Sequence, residues 1–169
     1  MTWLRKPACA FFATMAAAGL FGCVSPAPYV PDLSRGPTAD LRMQSYITSA
    51  TAMAVPGACA STPPQRIALL EQTDKSPHAP EPFVDIKIPA GAPVGIGFEN
   101  KTNLRGDLIC AIYGQFTPEA GKSYLVNVTI GSRRPKPMCE MIVYEARLNE
   151  RGLYWNEPIP VAPLSRNCN

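Results

Sequence analysis

The chain of 169 residues has a single histidine and an almost balanced charge. A nucleophile–histidine–acid triad would have to use that one residue, His78, which lies two residues from Ser76 in the proline-rich stretch DKSPHAPEP. Nearness in sequence is not triad geometry, so we interpret His78 as an exposed loop residue. From Cys23 onward, 16 − 2 = 14 Lys and Arg face 13 Asp and Glu, since Arg5 and Lys6 precede it. This balance gives no reason to expect nucleic-acid binding.

The chain also lacks an apolar run long enough to cross a bilayer. Arg5 and Lys6 are followed by PACAFFATMAAAGLFG, which is uncharged and shorter than the roughly 20 residues that a spanning helix needs. A basic start, an apolar core and small residues at its end are typical of a secretory signal. We therefore interpret residues 1–22 as a signal peptide and exclude them from the fold.

The signal ends in LFGC, residues 20–23, which resembles the lipobox of bacterial lipoproteins. Leu20, Gly22 and Cys23 match the family pattern, while Phe21 stands where a small residue is usual. The resemblance implies that Cys23 carries a diacylglycerol thioether and an N-acyl chain, and more than one chain gives stable anchoring. Val24 stands where the inner-membrane retention signal would have Asp. This implies a lipid-anchored protein of the outer membrane, facing the periplasm.

The alternative to lipidation is an ordinary secretory signal with a chance cysteine. The best small-x-small cleavage site after the apolar core is residues 25–27, and Pro28 directly after it disfavours cleavage. We favour lipidation, and predict a signal peptide over 1–22, a lipidated cysteine with a proline-rich tether over 23–40, and one domain over 41–169. The prolines of the tether favour an extended, semi-rigid chain.

Four cysteines remain in the exported domain, namely Cys59, Cys110, Cys139 and Cys168. An even number in an exported chain predicts two disulfides, and four cysteines allow three pairings. Cys110 and Cys139 lie within alternating apolar runs, so we favour that pair, which leaves Cys59 with Cys168. No two of the four have CxxC spacing, so we expect neither a metal nor another cofactor.

Apolar residues alternate with polar ones through much of the domain, as half-buried strands require. The pattern is clearest in FVDIKIP, PVGIGFE, GDLICAIYGQF, KSYLVNVTI and MCEMIVYEARL. The last of these is apolar on both faces, which predicts a central strand. DLRMQSYITSATAMAV and RIALLEQ are weaker strand candidates.

The links between these runs contain many of the 19 prolines of the chain. The five-residue link PAGAP predicts a hairpin, and the tail GLYWNEPIPVAPLSRNC has too many prolines for a central strand, so we expect it across a sheet edge. Short strands joined by turns predict an all-β fold, an antiparallel sandwich or barrel. Of the two we favour an antiparallel β-sandwich of the immunoglobulin or transthyretin kind. The segments IPAGAPV and FTPEAGKSYLV, each followed by a strand that contains a cysteine, resemble small bacterial lipoproteins. This second resemblance implies a fold and an envelope location, and no activity.

Residues that could carry chemistry are few. Glu140 and Glu145 are an odd number of residues apart, so on one strand they point to opposite faces. Glu99 and Asp107 flank the loop ENKTNLRGD and could approach each other as a glycosidase pair, although a solvated loop is the simpler interpretation. We therefore expect no catalytic residues.

Two groups of residues are candidate contact surfaces. Arg133, Arg134 and Lys136 lie in GSRRPKP, a predicted hairpin tip whose cations suit phosphates or acidic side chains. Tyr154 and Trp155 form the second group, because aromatic residues with polar tips are enriched at interfaces.

These features predict a non-enzymatic outer-membrane lipoprotein. Its sandwich would bind an envelope protein or a cell-envelope polymer, with no nucleic acid and no small-molecule cofactor among its partners. The alternatives are a hydrolase of cell-wall material and an inhibitor of a hydrolase such as lysozyme.

The intact mass of the protein extracted from membranes tests the anchor and the disulfides together. We expect a chain that starts at Cys23, carries three acyl chains, and is lighter by two hydrogens for each disulfide, because lipidation and oxidation both change the mass in known steps. A mass without lipid would contradict the lipobox interpretation. The reduced sample is the control for the disulfides.

Overall fold

The computed structural model describes residues 28–34, 36–47, 49–73, 76, 80–101, 108–131, 138–148, 154–166 and 168. Within these residues, nine β-strands form two sheets that pack face to face. The strands are β1 Thr38–Ser45, β2 Ser49–Val55, β3 Gln65–Glu71, β4 Phe83–Pro89, β5 Val94–Lys101, β6 Leu108–Phe116, β7 Ser123–Gly131, β8 Met138–Leu148 and β9 Tyr154–Ile159.

The strands divide into a five-stranded sheet A and a four-stranded sheet B. The order is β4-β1-β7-β8-β9 in sheet A and β3-β2-β5-β6 in sheet B. Neighbouring strands are antiparallel except β1 and β7, which are parallel. The predicted all-β sandwich is confirmed. β8 has a neighbouring strand on each side, as expected for a run that is apolar on both faces. β9 is an edge strand, as expected for the proline-rich tail.

The core forms because alternate residues of each strand point to the facing sheet. In β1, Leu41 and Met43 are buried, while Asp40 and Arg42 are exposed. Burying one large apolar side chain contributes about 1.5–3 kcal/mol to folding. The largest buried apolar side chains come from both sheets and include Leu41, Met43, Leu70, Ile88, Ile96 and Phe98.

The hairpin predicted at PAGAP is wrong. β4 belongs to sheet A and β5 to sheet B, so the link crosses from one sheet to the other. Five residues are long enough to span the about 10 Å between packed sheets, so the length of the link does not decide between the two connections. Gly91 takes a φ of 82°, which favours glycine, and its N–H donates to the carbonyl of Pro118 at 2.8 Å.

Residues before β1 close one open side of the sandwich, between the edge strands β3 and β4. The N–H of Tyr29 donates to the carbonyl of Arg66 in β3 at 2.7 Å. The Tyr29 side chain lines a cavity of about 140 Å³ together with Ile67 of β3 and Ile86 of β4. β1 itself begins at Thr38, before the predicted start of the domain at residue 41. Part of the predicted tether therefore packs against the domain.

Residues after β9 close the opposite side, between β6 and β9. Ala162 exchanges two backbone hydrogen bonds with Gln115 of β6, at 2.8 and 2.9 Å. Val161 packs over Gly114, where a Cβ would collide with it. Ser165 then accepts a hydrogen bond from Ala60 at 2.8 Å. The tail thus covers the edge of β6 and reaches the segment that follows β2.

Both favoured disulfide pairings are confirmed. Cys110 of β6 and Cys139 of β8 join the two sheets, with their Cα atoms 5.9 Å apart. Cys59, which follows β2, and Cys168 of the tail have Cα atoms 5.7 Å apart. The second disulfide therefore closes a loop with a sequence separation of 109 residues, against 29 for the first.

Removing the longer-range disulfide tests its contribution to stability. We expect the double substitution Cys59→Ala and Cys168→Ala to lower the free energy of unfolding by up to about 4–5 kcal/mol, since the entropy of loop closure grows with loop length. Denaturant unfolding of the variant and of the parent would measure the difference. The parent under reducing conditions is the control, and an unchanged midpoint would contradict the expectation.

Candidate functional site

A groove of about 630 Å³ runs across the outer face of sheet A, over β4, β1, β7 and β8. The alternation that turns Leu41 and Ile86 toward the core turns the residues beside them outward, and these outward residues form the walls of the groove. The side chains that line the groove in this way are Asp40, Arg42, Asp85, Lys87, Ser123, Leu125 and Ala146.

The β1–β4 half of the groove is charged. Arg42 lies directly opposite Asp85, and its Nε and Nη2 donate to the two carboxylate oxygens at 2.7 and 2.8 Å. Lys87 lies opposite Asp40 and donates from Nζ to Oδ1 at 2.7 Å. All four side chains are about half exposed, so each ion pair contributes about 0–1 kcal/mol.

Arg42 is held by an aromatic ring as well as by a carboxylate. Its guanidinium carbon lies 4.2 Å from the centroid of the Phe83 ring, within the range of a cation–π contact. The hydrogen bond from Arg42 also holds the pKa of Asp85 below its ordinary value. Asp85 is therefore an acceptor that stays ionised, the opposite of a carboxyl group prepared to act as a general acid.

The β7–β8 half of the groove is less polar. Leu125 of β7 faces Tyr144 of β8 in the register, and Ala146 and Ile142 lie on either side of Tyr144 along the same outer face. All four side chains are half-buried although they point away from the core. β8 is therefore apolar on its outer face as well as on its inner face along this row, as its sequence predicts.

A second charged cluster lies at one end of sheet A. Glu145 of β8 is only 13 % exposed and accepts hydrogen bonds from Lys122 Nζ and Arg147 Nε, each at 3.1 Å. Lys122 also lies 2.8 Å from Glu119, and Arg147 lies 3.3 Å from Glu157. The hydrogen bond from Lys122 holds the pKa of Glu145 below its ordinary value. The cluster therefore joins two cations to three carboxylates and links the turn before β7 to β8 and β9.

Glu99 has a different partner from the one considered in the sequence. Its carboxylate accepts a hydrogen bond from the hydroxyl of Tyr113 on β6, while Asp107 lies outside the described residues. The Tyr113 ring lies over Gly97, where a Cβ would collide with it. Burial of the ring, followed by the nearby Glu99 carboxylate, raises the pKa of Tyr113 above its ordinary value.

The first candidate contact surface, formed by Arg133, Arg134 and Lys136, lies outside the described residues, as do Cys23 and His78. The flanking strands β7 and β8 pair antiparallel as far as the register of Gly131 with Met138, so GSRRPKP joins the two strands of a hairpin, as expected.

The remaining predicted residues fall partly within the described chain. Tyr154 and Trp155 form the start of the edge strand β9, and their side chains lie outside what the structure describes. Glu140 is exposed, whereas Glu145 faces inward opposite the buried Tyr124. The prediction that these two carboxylates lie on opposite faces is confirmed.

Two kinds of feature are absent from the part of the chain that the structure describes. No three His, Cys, Asp or Glu side chains there lie close enough to hold a metal ion. No helix in these residues is long and apolar enough to cross a membrane.

A comparison with protein-family models and with curated proteins finds no match to this chain. The interpretation of the groove therefore depends on its own geometry and chemistry.

The charged cluster around Glu145 predicts a pH dependence of stability. Because the pKa of Glu145 is lowered in the folded protein, its contribution is present above the unfolded-state pKa and is lost as the pH falls through the folded-state pKa. We expect Glu145→Gln to lower stability at neutral pH and to flatten the decline in stability at acid pH. Urea unfolding over a pH series would measure this.

Glu140→Gln is the matched control for that series, because Glu140 lies on the same strand and is exposed on the opposite face. Its stability profile should follow that of the parent. Identical profiles for the two variants would show that the Glu145 cluster does not contribute.

Proposed function

We propose that the protein is a non-enzymatic lipoprotein of the outer membrane, anchored through Cys23, whose sandwich binds an envelope protein through the groove on sheet A. The lipobox LFGC supports the anchor, and the two disulfides support an oxidising compartment such as the periplasm. The groove is the single observation that supports a binding role.

The groove suits a polypeptide because its two halves differ in polarity. Arg42 and Lys87 on the charged half are each already paired with a carboxylate, so a ligand with one sign of charge meets as much repulsion as attraction. A protein segment that carries both charged and apolar side chains would match both halves. A uniformly charged polymer would match neither, so we favour a protein partner.

A hydrolase is the second candidate, because two carboxylates line the same groove. The register places Asp40 diagonal to Asp85 across β1 and β4, and the Cα atoms of such neighbours lie about 7–8 Å apart, so both carboxyl groups are within reach of one bound sugar. Each carboxylate is bound to a cation, however, and the pKa of Asp85 is lowered. Neither therefore has the environment of a general acid.

Site-specific photo-cross-linking in intact cells tests the binding role. We expect a photoreactive residue at Ser123, which is exposed in the groove, to form a covalent adduct with one envelope protein at native expression. The matched control is the same residue at Ala111, which is exposed on the outer face of sheet B, away from the groove. Mass spectrometry of the adduct would identify the partner.

Three other results would contradict this proposal. Adducts of equal yield at Ser123 and Ala111 would show that the groove is not the contact surface. An adduct with a cell-wall polymer would replace the protein partner with a polymer. Turnover of cell-wall material by the purified protein that is lost in Asp40→Asn would establish the hydrolase.

A further inference from the structure

We infer that the side of the sandwich between β3 and β4 lies against the phospholipid headgroups of the bilayer that carries the anchor, and that Tyr29 holds it there. This inference rests on the lipidation of Cys23 in the proposed function. It adds an orientation and a second membrane contact, which the lipid chains alone do not supply.

Tyr29 joins the segment before β1 to both sheets. Its N–H donates to the backbone of Arg66 in β3 at 2.7 Å, and its half-buried ring packs against the core beside Ile67 of β3 and the pair Ile86 and Ile88 of β4. Burial raises the pKa of the Tyr29 hydroxyl. The chain that leads from the anchor therefore meets the domain at this side and not at the start of β1.

The distance from the anchor to this contact is short. Five residues separate Cys23 from Tyr29. Since an extended chain spans at most about 3.3–3.6 Å per residue, the two Cα atoms can be no more than about 22 Å apart. A tether that ran freely to residue 41 would allow roughly three times that distance. The contact at Tyr29 therefore keeps the β3–β4 side close to the bilayer.

The exposed large apolar side chains occur on the segment before β1 and around the β3–β4 opening, and those of the two edge strands point to the outer faces of different sheets. Two of them lie on the segment before β1, and one lies on each of the edge strands β3 and β4. The fifth lies on the turn between β1 and β2, which are the strands paired with β4 and β3. The five are Val30, Leu33, Leu69, Phe83 and Tyr46. Val30 is 81 % exposed and Leu69 is 53 % exposed, which leaves both side chains available for a further contact, whereas the Phe83 ring already contacts the guanidinium of Arg42.

The chemistry of this set fits the headgroup region of a bilayer. Aromatic and aliphatic side chains on a polar surface are favoured at that depth, where the apolar part leaves water and a hydroxyl such as that of Tyr46 stays hydrated. A few such side chains bind a membrane weakly on their own. The anchor raises their effective concentration at the surface, so a weak contact is enough to orient the domain.

The opposite side of the sandwich has a different surface. There the tail covers the edge of β6 through the hydrogen bonds between Ala162 and Gln115. Leu69 and Ala111 occupy the two ends of one row across sheet B, because Leu69 pairs with Thr51, Thr51 with Glu99, and Glu99 with Ala111. Both positions are exposed, so they form a matched pair of probe sites.

Tryptophan quenching in vesicles tests the orientation. The full lipoprotein, extracted from membranes as Leu69→Trp or Ala111→Trp, is reconstituted into vesicles of phosphatidylethanolamine and phosphatidylglycerol that contain a lipid with a nitroxide on its headgroup. The signal of the parent, which includes Trp155, is subtracted. Because three strand spacings separate the two sites by about 14 Å, we expect about twofold stronger quenching at position 69 than at 111.

Adding Tyr29→Ala to the Leu69→Trp variant should reduce its quenching to the level at position 111. Equal quenching at 69 and 111 in vesicle-bound protein would overturn the orientation and leave the anchor in place. Quenching that survives Tyr29→Ala would overturn the role of Tyr29. Failure of the parent to float with the vesicles would overturn the anchor, and the orientation with it.

Discussion

The sandwich depends on backbone contacts that the two ends of the domain make along its open sides. Packed sheets expose their core wherever the outer strands do not meet, and their edge strands present unpaired backbone groups. Tyr29 covers the opening between β3 and β4, and Val161 and Ala162 cover the opening between β6 and β9. The two disulfides reinforce this arrangement, one between the sheets and one between the tail and the segment after β2.

The groove on sheet A is a consequence of the strand order. β1 lies between β4 and β7, so the charged outer residues of β1 and β4 are brought beside the apolar outer residues of β7 and β8. None of these four strands contributes both charged and apolar side chains to the groove. The chemistry of the site thus arises from pairing between strands that are far apart in the chain, which the parallel pair of β1 and β7 makes possible.

The sequence predicts the local structure well because the alternation is a local property. Val84, Ile86 and Ile88 identify β4 and its inner face without knowledge of any other strand, and the same pattern places Asp85 and Lys87 together on the outer face. Their partners Asp40 and Arg42 could not be predicted, because two strands separate β1 from β4 in the chain. The hairpin predicted at PAGAP is wrong because the length of this link suits both a hairpin and a crossing between sheets. Which of the two forms depends on where β4 and β5 pair, and this is not a local property. Tyr29 lies in proline-rich surroundings that suggest a free tether, and its one signal in the sequence is that it is the single aromatic residue among residues 23–40.

The position of the tail also bears on the order in which the molecule can assemble. Residues 161–168 come after all nine described strands, yet they cover the edge of β6 and supply Cys168 to a partner 109 residues earlier. The edge of β6 therefore stays open until the segment after β9 has been made, so this segment is the last described part of the chain that can add to the fold.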